Sequence, residues 1–389
     1  MQICLIGPSH PFRGGLAHHT TLLYRHLRGR HDVTFYTFRR LYPRWFYPGK
    51  TNRDVSEVPL CEDGMQPLLD YLNPLTWWNV YRRIRSAQPD LLIVPWWSSF
   101  WAPHFWMLST LVKRFCTTKI LFICHNAVDH ESYSFSRMCT RTVLKQGDYL
   151  FVHSETDGNT LREMLPASSI TRVFHPIYDF FHRSGISKTD ARRQLGLTGD
   201  VLLFFGFIRP YKGLDILLEG MPLILAQRPV TLLVVGEFWE GRERYLRRIE
   251  ELGIREAVKI VEGYIPNEQV EPYFAAADLV VLPYVAGTSS GIVQVAYGCD
   301  RPVIATQVGC LPEVVEDGKT GYVVPPNTPQ AIAAAVVRFF VEQKEQEFRD
   351  HIRVGKARFS WHHLVDQIER VVATDASHEP IEAERVEGV

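Results

Sequence analysis

Short apolar runs alternate along almost the whole chain with longer segments whose apolar residues recur every three or four positions. In the first half the runs ICLIG (3–7), VTFYTF (33–38), LLIVPW (91–96), KILFICH (119–125) and YLFVHS (149–154) predict strands. In the second half VLLFFGF (201–207), VTLLVVGE (230–237), VKIVEG (258–263), DLVVLPY (278–284) and RPVIAT (301–306) do the same. Helical spacing falls between them, at 15–28, 75–87, 103–115, 134–145 and 155–165, after Gly213 and from Gly291. Strands that alternate with helices of this length build parallel sheets through right-handed crossovers. The polar, turn-rich stretch HPIYDFFHRSGISKTDARRQLGL (175–197) separates the halves. The expected fold is therefore α/β: two doubly wound domains, 1–180 and 181–360, facing across a cleft. Ligands in such sheets bind at the carboxyl ends of the strands. Helical spacing returns at 329–343 and 361–372, and 361–389 is expected to be a C-terminal helix, able to cross back to the first domain, followed by a polar tail.

Composition narrows the function. The 389 residues carry 43 basic and 43 acidic side chains, which argues against a general nucleic-acid binder. The balance is uneven locally: residues 1–60 hold nine Arg and Lys against three acids. The seven cysteines are scattered, odd in number and without a C-x-x-C pair. Neither a disulfide framework nor a cysteine zinc site is expected, and a reducing, cytoplasmic setting is. No leader-like pattern opens the sequence, and no uncharged apolar stretch is long enough to span a bilayer.

Three stretches carry candidate chemistry. In FGFIRPYKGLDILLEG (205–220) an apolar strand that includes Gly206 gives way to Arg209 and Lys212, just before a helix start. A helix N-terminus already favours anions, so two cations beside it make sense if an anion arrives from outside. An Arg fork, a Lys point charge and close backbone approach at Gly213 suit a diphosphate. Both cations are expected to be partly exposed. In GPSHPFRGGLAHHT (7–20) Gly14 and Gly15 lie between the first strand and the first helix. This is neither the dinucleotide nor the Walker pattern, so a phosphate loop and a plain tight turn are both open readings. In YVAGTSSGIVQVAYGCDRPVIAT (284–306) small residues lead from a strand end into a helix, a second place where amides could meet phosphate.

Together, FGFIRPYKGLDILLEG, GYIPNEQVEPYFAAADLVVLPY and DRPVIATQVGCLPEVVEDGKTGYVVPP resemble the C-terminal half of family-4 retaining glycosyltransferases of the GT-B fold. FICHNAVDHE (122–131) and VHSE (152–155) extend the resemblance more thinly into the first half. It implies two Rossmann-like domains, the first binding an acceptor and the second a nucleotide sugar. Arg209 and Lys212 would hold the donor diphosphate and stabilise charge on the leaving group. Gly263, Tyr264, Ile265 and Pro266 would lie near the base, and Thr288, Ser289, Ser290 and Gly291 would meet phosphate. Gly14 and Gly15 would approach the donor from the first domain. His125 would sit beside the transferred sugar; its other reading is a satisfied core histidine. The co-substrate would be a UDP- or GDP-sugar, with no further cofactor. No Asp-x-Asp pattern is present, so Arg and Lys are expected to replace a divalent ion and transfer to be metal-independent. The acceptor would be a glycan or a lipid-linked molecule, as in polysaccharide biosynthesis.

One departure stands out. Many family members carry two glutamates with seven residues between them where this chain has Gly287 and Val295. Thr288, Ser289, Ser290 and Gln294 are the polar residues nearby. A divergent enzyme, a non-catalytic nucleotide-sugar-binding module and a nucleotide-sugar epimerase thus stand as alternatives. A dinucleotide-dependent enzyme is disfavoured because the glycine fingerprint is missing after both first strands. TFYTFRRLYPRWFYPGKTNR (34–53) interleaves Arg39, Arg40, Arg44 and Lys50 with Tyr42, Trp45, Phe46 and Tyr47. WWSSFWAPHFWMLSTLVKRF (96–115) adds Trp96, Trp97, Trp101 and Trp106. Basic, aromatic surface suits peripheral contact with the inner face of the cytoplasmic membrane; the other reading is that these rings fill a core.

Overall fold

The structure, a computed structural model, describes residues 1–43, 49, 51–127 and 133–377. Two parallel sheets organise it. In the first, β1 (Gln2–Ile6), β2 (Asp32–Arg40), β3 (Met65–Asp70), β4 (Leu91–Trp96), β5 (Lys119–Cys124), β6 (Tyr149–Val152) and β7 (Ser169–Arg172) lie in the order β3-β2-β1-β4-β5-β6-β7. In the second, β8 (Asp200–Phe205), β9 (Val230–Gly236), β10 (Val258–Glu262), β11 (Leu279–Leu282), β12 (Val303–Thr306) and β13 (Gly321–Val324) lie in the order β10-β9-β8-β11-β12-β13. Strand order reverses beside β1 and beside β8. Leu5 sits between Phe35 and Ile93, and Leu202 between Leu232 and Leu279. These switch points open crevices at the carboxyl ends of β1 and β4, and of β8 and β11.

Helices cover the sheets, so the central strands are buried on both faces and their sequences read as unbroken apolar runs, as LLIVPW does in β4. Local chemistry sets the helix ends. Asn73 accepts from the Leu75 amide (3.0 Å) ahead of Pro74, and Ser154 accepts from the Asp157 amide (3.0 Å). Ser187 opens the helix Lys188–Leu195, and Gly196 closes it in the left-handed conformation at φ 59°.

Three strands lie outside the runs predicted from sequence. β3 (MQPLLD), β7 (SITR) and β13 (GYVV) are short edge strands, and the first two are too polar to stand out. The chain divides into two compact units. The first takes the described residues within Met1–Phe46, Leu60–Pro176 and Arg358–Val389; the second takes those within Tyr47–Pro59 and Ile177–Ala357. Residues 51–59 thus group with the second unit rather than the first. There Asp54 and Ser56 bind Asn267, and the Glu57 amide donates to Glu268 (3.1 Å), dressing the first turn of the helix Asn267–Ala276. The helix Trp361–Ser377 groups with the first unit, where Arg30 pairs with Asp366 (2.6 Å) and Glu369 (2.5 Å).

Most of the aromatic stretch at 96–115 faces inward. Trp96 and Trp101 are buried with Trp77 in the first core, and Trp97 is half-buried with its Nε1 donating to Tyr42 Oη (2.5 Å). Trp106 alone of the four is exposed. Two of the four rings assigned to a membrane face are therefore core residues. Arg40 is held by Asp70, while Arg44, Trp45, Phe46, Tyr47 and Lys50 lie outside the described residues. Among the described residues, no helix is long and apolar enough to cross a membrane.

The stretch after Pro176 is tied down by one carboxylate. Glu271 is buried and accepts from the amides of Arg183 (3.1 Å), Ser184 (2.7 Å) and Gly185 (2.9 Å) and from Ser184 Oγ (2.8 Å). Burial alone would raise its pKa, but these donors outweigh that and hold it below the usual glutamate value. Glu271→Ala orphans three amides, and we expect a loss of about 2 kcal/mol in urea unfolding. A loss below about 0.5 kcal/mol would show that water replaces the carboxylate freely.

Candidate functional site

In the second unit the crevice at β8 and β11 gathers several of the residues singled out above. Gly206 (φ 109°) follows β8, and Gly213 (φ 67°) caps the helix Leu214–Leu225. Both angles favour glycine, and Gly213 has a second reason to be one. A Cβ there would lie 2.0 Å from the carbonyl oxygen of Pro283, on the loop that follows β11. The two loops also share the bond from the Val285 amide to the Tyr211 carbonyl (2.8 Å). The Lys212 ammonium lies 3.3 Å from where a Gly206 Cβ would be, and that same position is 3.2 Å from Ile292, in the first turn of the helix Gly291–Gly298.

Lys212 is buried rather than partly exposed: 8% of its surface is accessible. It forms no ion pair with a described residue. The Tyr284 ring centroid lies 5.3 Å from its Nζ. Burial pushes its pKa down, with Arg209 adding to that and Tyr211 opposing it. The Arg209 guanidinium lies between the Tyr211 and Trp239 rings, 5.2 Å from each centroid, which holds the fork in place. Ser290 caps the helix Gly291–Gly298, accepting from the Ile292 amide (3.3 Å), and shares a hydrogen bond with Tyr284 Oη (3.1 Å). The Thr288 carbonyl accepts from the Cys310 amide (2.8 Å), which braces the loop carrying Thr288 and Ser289.

Gly287 stands at φ 132° and Val295 is buried, so neither position offers a polar side chain. Gln294 is also buried, and its Oε1 has no hydrogen-bond partner among the described residues. Gly263 (φ 131°) follows β10 and donates to the Gly236 carbonyl (3.0 Å); Tyr264, Ile265 and Pro266 lead from it into the helix Asn267–Ala276.

In the first unit, Gly14 (φ 106°) precedes the helix Gly15–Arg28, which starts beyond β1. A Cβ at Gly14 would meet nothing within 4 Å, so that loop is open rather than wedged. His125 follows β5, its amide donating to the Trp96 carbonyl (2.8 Å). It is not solitary. His19 from the first helix, His153 after β6 and His175 after β7 meet it at the carboxyl edge of the sheet. The His19 ring lies 4.6 Å from His125 and 5.0 Å from His175, and the His153 ring 5.2 Å from His125 and 5.0 Å from His175. Sequence reading singled out only His125. The signal for His153 and His175 was that histidines follow the ends of three successive strands, in ICH, VHS and FHP; His19, in the first helix, carried no such signal.

All four imidazoles are held neutral. Burial is the leading cause in each case, with the neighbouring histidines next for His19, His125 and His153; His153 falls to about 3 and His175 to about 4. The unfolded chain, with ordinary histidines, then binds more protons than the native one below about pH 6.5. Stability should be full above that pH and fall as the pH drops toward 3, by roughly 1 kcal/mol per unit for each histidine titrating. Urea midpoints between pH 4 and 7.5 test this, and His153→Gln should flatten the profile. A flat wild-type profile would mean that the cluster opens to water.

The comparisons agree with this architecture. Residues 13–179 match the family model described as Glycosyltransferase Family 4, and residues 199–341 match that described as Glycosyl transferases group 1. A D-inositol 3-phosphate glycosyltransferase from Nocardioides sp. is 32% identical over 246 residues, covering 58% of this chain and 53% of the relative. The chain thus spans little more than half the length of that curated relative, and 60% and 57% of the next two. Anabaena Alr3699/HepE, solved in complex with UDP, superposes with a TM-score of 0.71 at 18% identity, over 96% of this chain and all of that one. Sucrose-phosphate synthase from Thermosynechococcus elongatus gives 0.69 at 20% identity, over 97% of this chain and all of that one. With two doubly wound parallel sheets, and with family models matching each of them, the chain belongs to the family-4 glycosyltransferases of the GT-B fold.

Proposed function

We propose that this protein transfers a sugar from a nucleoside-diphosphate sugar to a hydroxyl acceptor, with retention at the anomeric carbon and with Lys212 and Arg209 as the diphosphate-binding cations. The observation that carries this reading is the buried Lys212 ammonium, which has no described anionic partner beside the first turn of the helix Gly291–Gly298. A buried cation without a partner is costly to keep. A diphosphate would neutralise it, and the amides near Ser290 would add dipoles aimed at the same anion. In the transfer step the bond from the sugar carbon to the diphosphate oxygen breaks and its electrons stay on the diphosphate. The acceptor hydroxyl bonds to that carbon on the same face, and its proton goes to a departing phosphate oxygen. Lys212 and Arg209 stabilise the charge that develops, a role a divalent ion fills elsewhere.

UDP is the favoured nucleotide, supported by the UDP and UDP-glucose complexes of the Anabaena protein; GDP is the next to test. The acceptor in this reading is a glycan or a lipid-linked molecule. The exposed Trp106, Phe135 and Met138 offer apolar surface for the peripheral membrane contact that a lipid-linked acceptor would bring. Thermal shift with UDP, GDP, ADP, CMP and their sugar conjugates, without added metal, tests the donor. Ligand at 100 times its dissociation constant should stabilise the fold by about 2.7 kcal/mol. No shift with any of them would refute the reading. The neutral side chains at Gly287 and Val295 favour a second reading, a module that binds the nucleotide sugar without using it. Binding with no release of nucleotide across an acceptor panel would select it.

A further inference from the structure

The four histidines gathered at the carboxyl edge of the first sheet are not used up by the function proposed above. Only His125 has a part in the family resemblance, and one sugar contact does not call for four imidazoles. Their hydrogen bonding shows what is left over. His153 Nδ1 lies 3.1 Å from the Val173 carbonyl, and His175 Nδ1 lies 2.9 Å from the Pro176 carbonyl. A carbonyl only accepts, so both Nδ1 atoms carry the proton. In a neutral ring the other nitrogen, Nε2, then bears a lone pair. His153 Nε2 is buried with no hydrogen-bond partner among the described residues, as are His125 Nε2 and both ring nitrogens of His19. Lone pairs therefore outnumber donors inside a buried cluster.

We propose that this cluster is a metal site, taking a divalent first-row ion of the Zn²⁺ type on His19, His125 and His153, with His175 beside them as the fourth imidazole. Ligand atoms of the first three lie within 4.8 Å of one another. Tetrahedral Zn²⁺ with Zn–N bonds near 2.0–2.1 Å needs ligand nitrogens roughly 3.4 Å apart, so each must close in by about 1 Å, within reach of small side-chain rotations. The outer shell is in place: metal-bound histidines commonly donate their second ring N–H to a backbone carbonyl, as His153 and His175 do here. An all-imidazole set selects Zn²⁺, Co²⁺, Ni²⁺ or Cu²⁺ over Mg²⁺ or Ca²⁺. His19 and His153 are buried, while His125 and His175 keep partial exposure, which gives an ion a way in. Lys212 belongs to the second unit and the four histidines to the first.

The test uses the full chain without a polyhistidine tag. The protein is stripped with EDTA, loaded with Zn²⁺ or Co²⁺ and desalted, and metal is counted by mass spectrometry. We expect about one ion per chain, visible d–d absorption typical of tetrahedral Co²⁺, and at least a tenfold weaker affinity in both His153→Gln and His19→Gln. Loss of retained metal in the wild type, or retention unchanged by both substitutions, would overturn the proposal. Should the variants not fold, X-ray absorption on the zinc-loaded wild type decides: three or four imidazoles around the ion sustain the assignment, and fewer than three end it. Nucleotide thermal shift does not depend on this site, so failure here leaves the donor reading standing.

Discussion

Lys212→Met should weaken nucleotide binding by at least ~30-fold without weakening the fold. The substitution keeps an unbranched, flexible side chain among Gly206, Tyr284 and Ile292, shorter by one heavy atom, and removes the charge. A charge-assisted bond to phosphate contributes roughly 2 kcal/mol, so titration calorimetry should show at least a ~30-fold weaker affinity for the nucleoside diphosphate. The empty protein should be as stable as the parent or more so, because burial that penalises the ammonium does not penalise a thioether. Such a split between stability and binding marks a residue kept for its ligand. If Lys212→Met bound the nucleotide as the parent does, the diphosphate would lie elsewhere. If instead it unfolded, Lys212 would have a structural role that its lack of ion pairs does not reveal.

Gly213→Ala should be among the most damaging conservative substitutions in the second unit. Its Cβ would sit 2.0 Å from the Pro283 carbonyl oxygen, a backbone atom that cannot swing away, at a φ of 67°. Either the Tyr211–Val285 link breaks or the loop after β11 shifts. We expect a loss of about 3 kcal/mol or more in urea unfolding, together with loss of nucleotide binding. Gly199→Ala separates the two causes. Gly199 has nearly the same backbone angle, φ 68°, but a Cβ there meets nothing within 4 Å. Left-handed backbone alone should cost it about 1 kcal/mol. Equal losses at the two sites would mean that the Pro283 contact relaxes without cost.

The candidate donor site stood out in the sequence because it is local. Gly206, Arg209, Lys212 and Gly213 occupy one βα turn, and Thr288 to Gly291 occupy another. Spacing alone suggested that each turn faces an anion. What spacing did not reveal was that Lys212 is buried, since that depends on Tyr284 and Ile292, which lie some 70 to 80 residues further along the chain. The histidine cluster was hidden for the same reason on a larger scale. Its members come from one helix and three strand ends, and only the pairing of β5, β6 and β7 brings them together. Helix positions were clear wherever an amphipathic stripe met a cap, as at 15–28 and 74–87. Edge strands β3, β7 and β13 were not, because a strand covered on few sides needs no strong apolar pattern. Residues 51–59 carry no periodicity at all, and their grouping with the second unit rests on side-chain caps to Asn267 and Glu268.

The helix Trp361–Ser377 has a consequence for the order of events at the ribosome. Trp361 lies 5.1 Å from the His19 ring and stacks parallel on His26 at 5.7 Å, so it forms part of the wall around the histidine cluster. Translation delivers His19 early and Trp361 only after all of the second unit has emerged. A nascent chain therefore holds an unfinished first unit for most of its synthesis, with apolar and imidazole surface that its own last helix will later cover. Domains that fold as units during synthesis normally close as soon as they emerge. Here the first to be made is the last to be sealed, and stalled or truncated chains should be handled by the cell as unfolded even when every residue up to 350 is present.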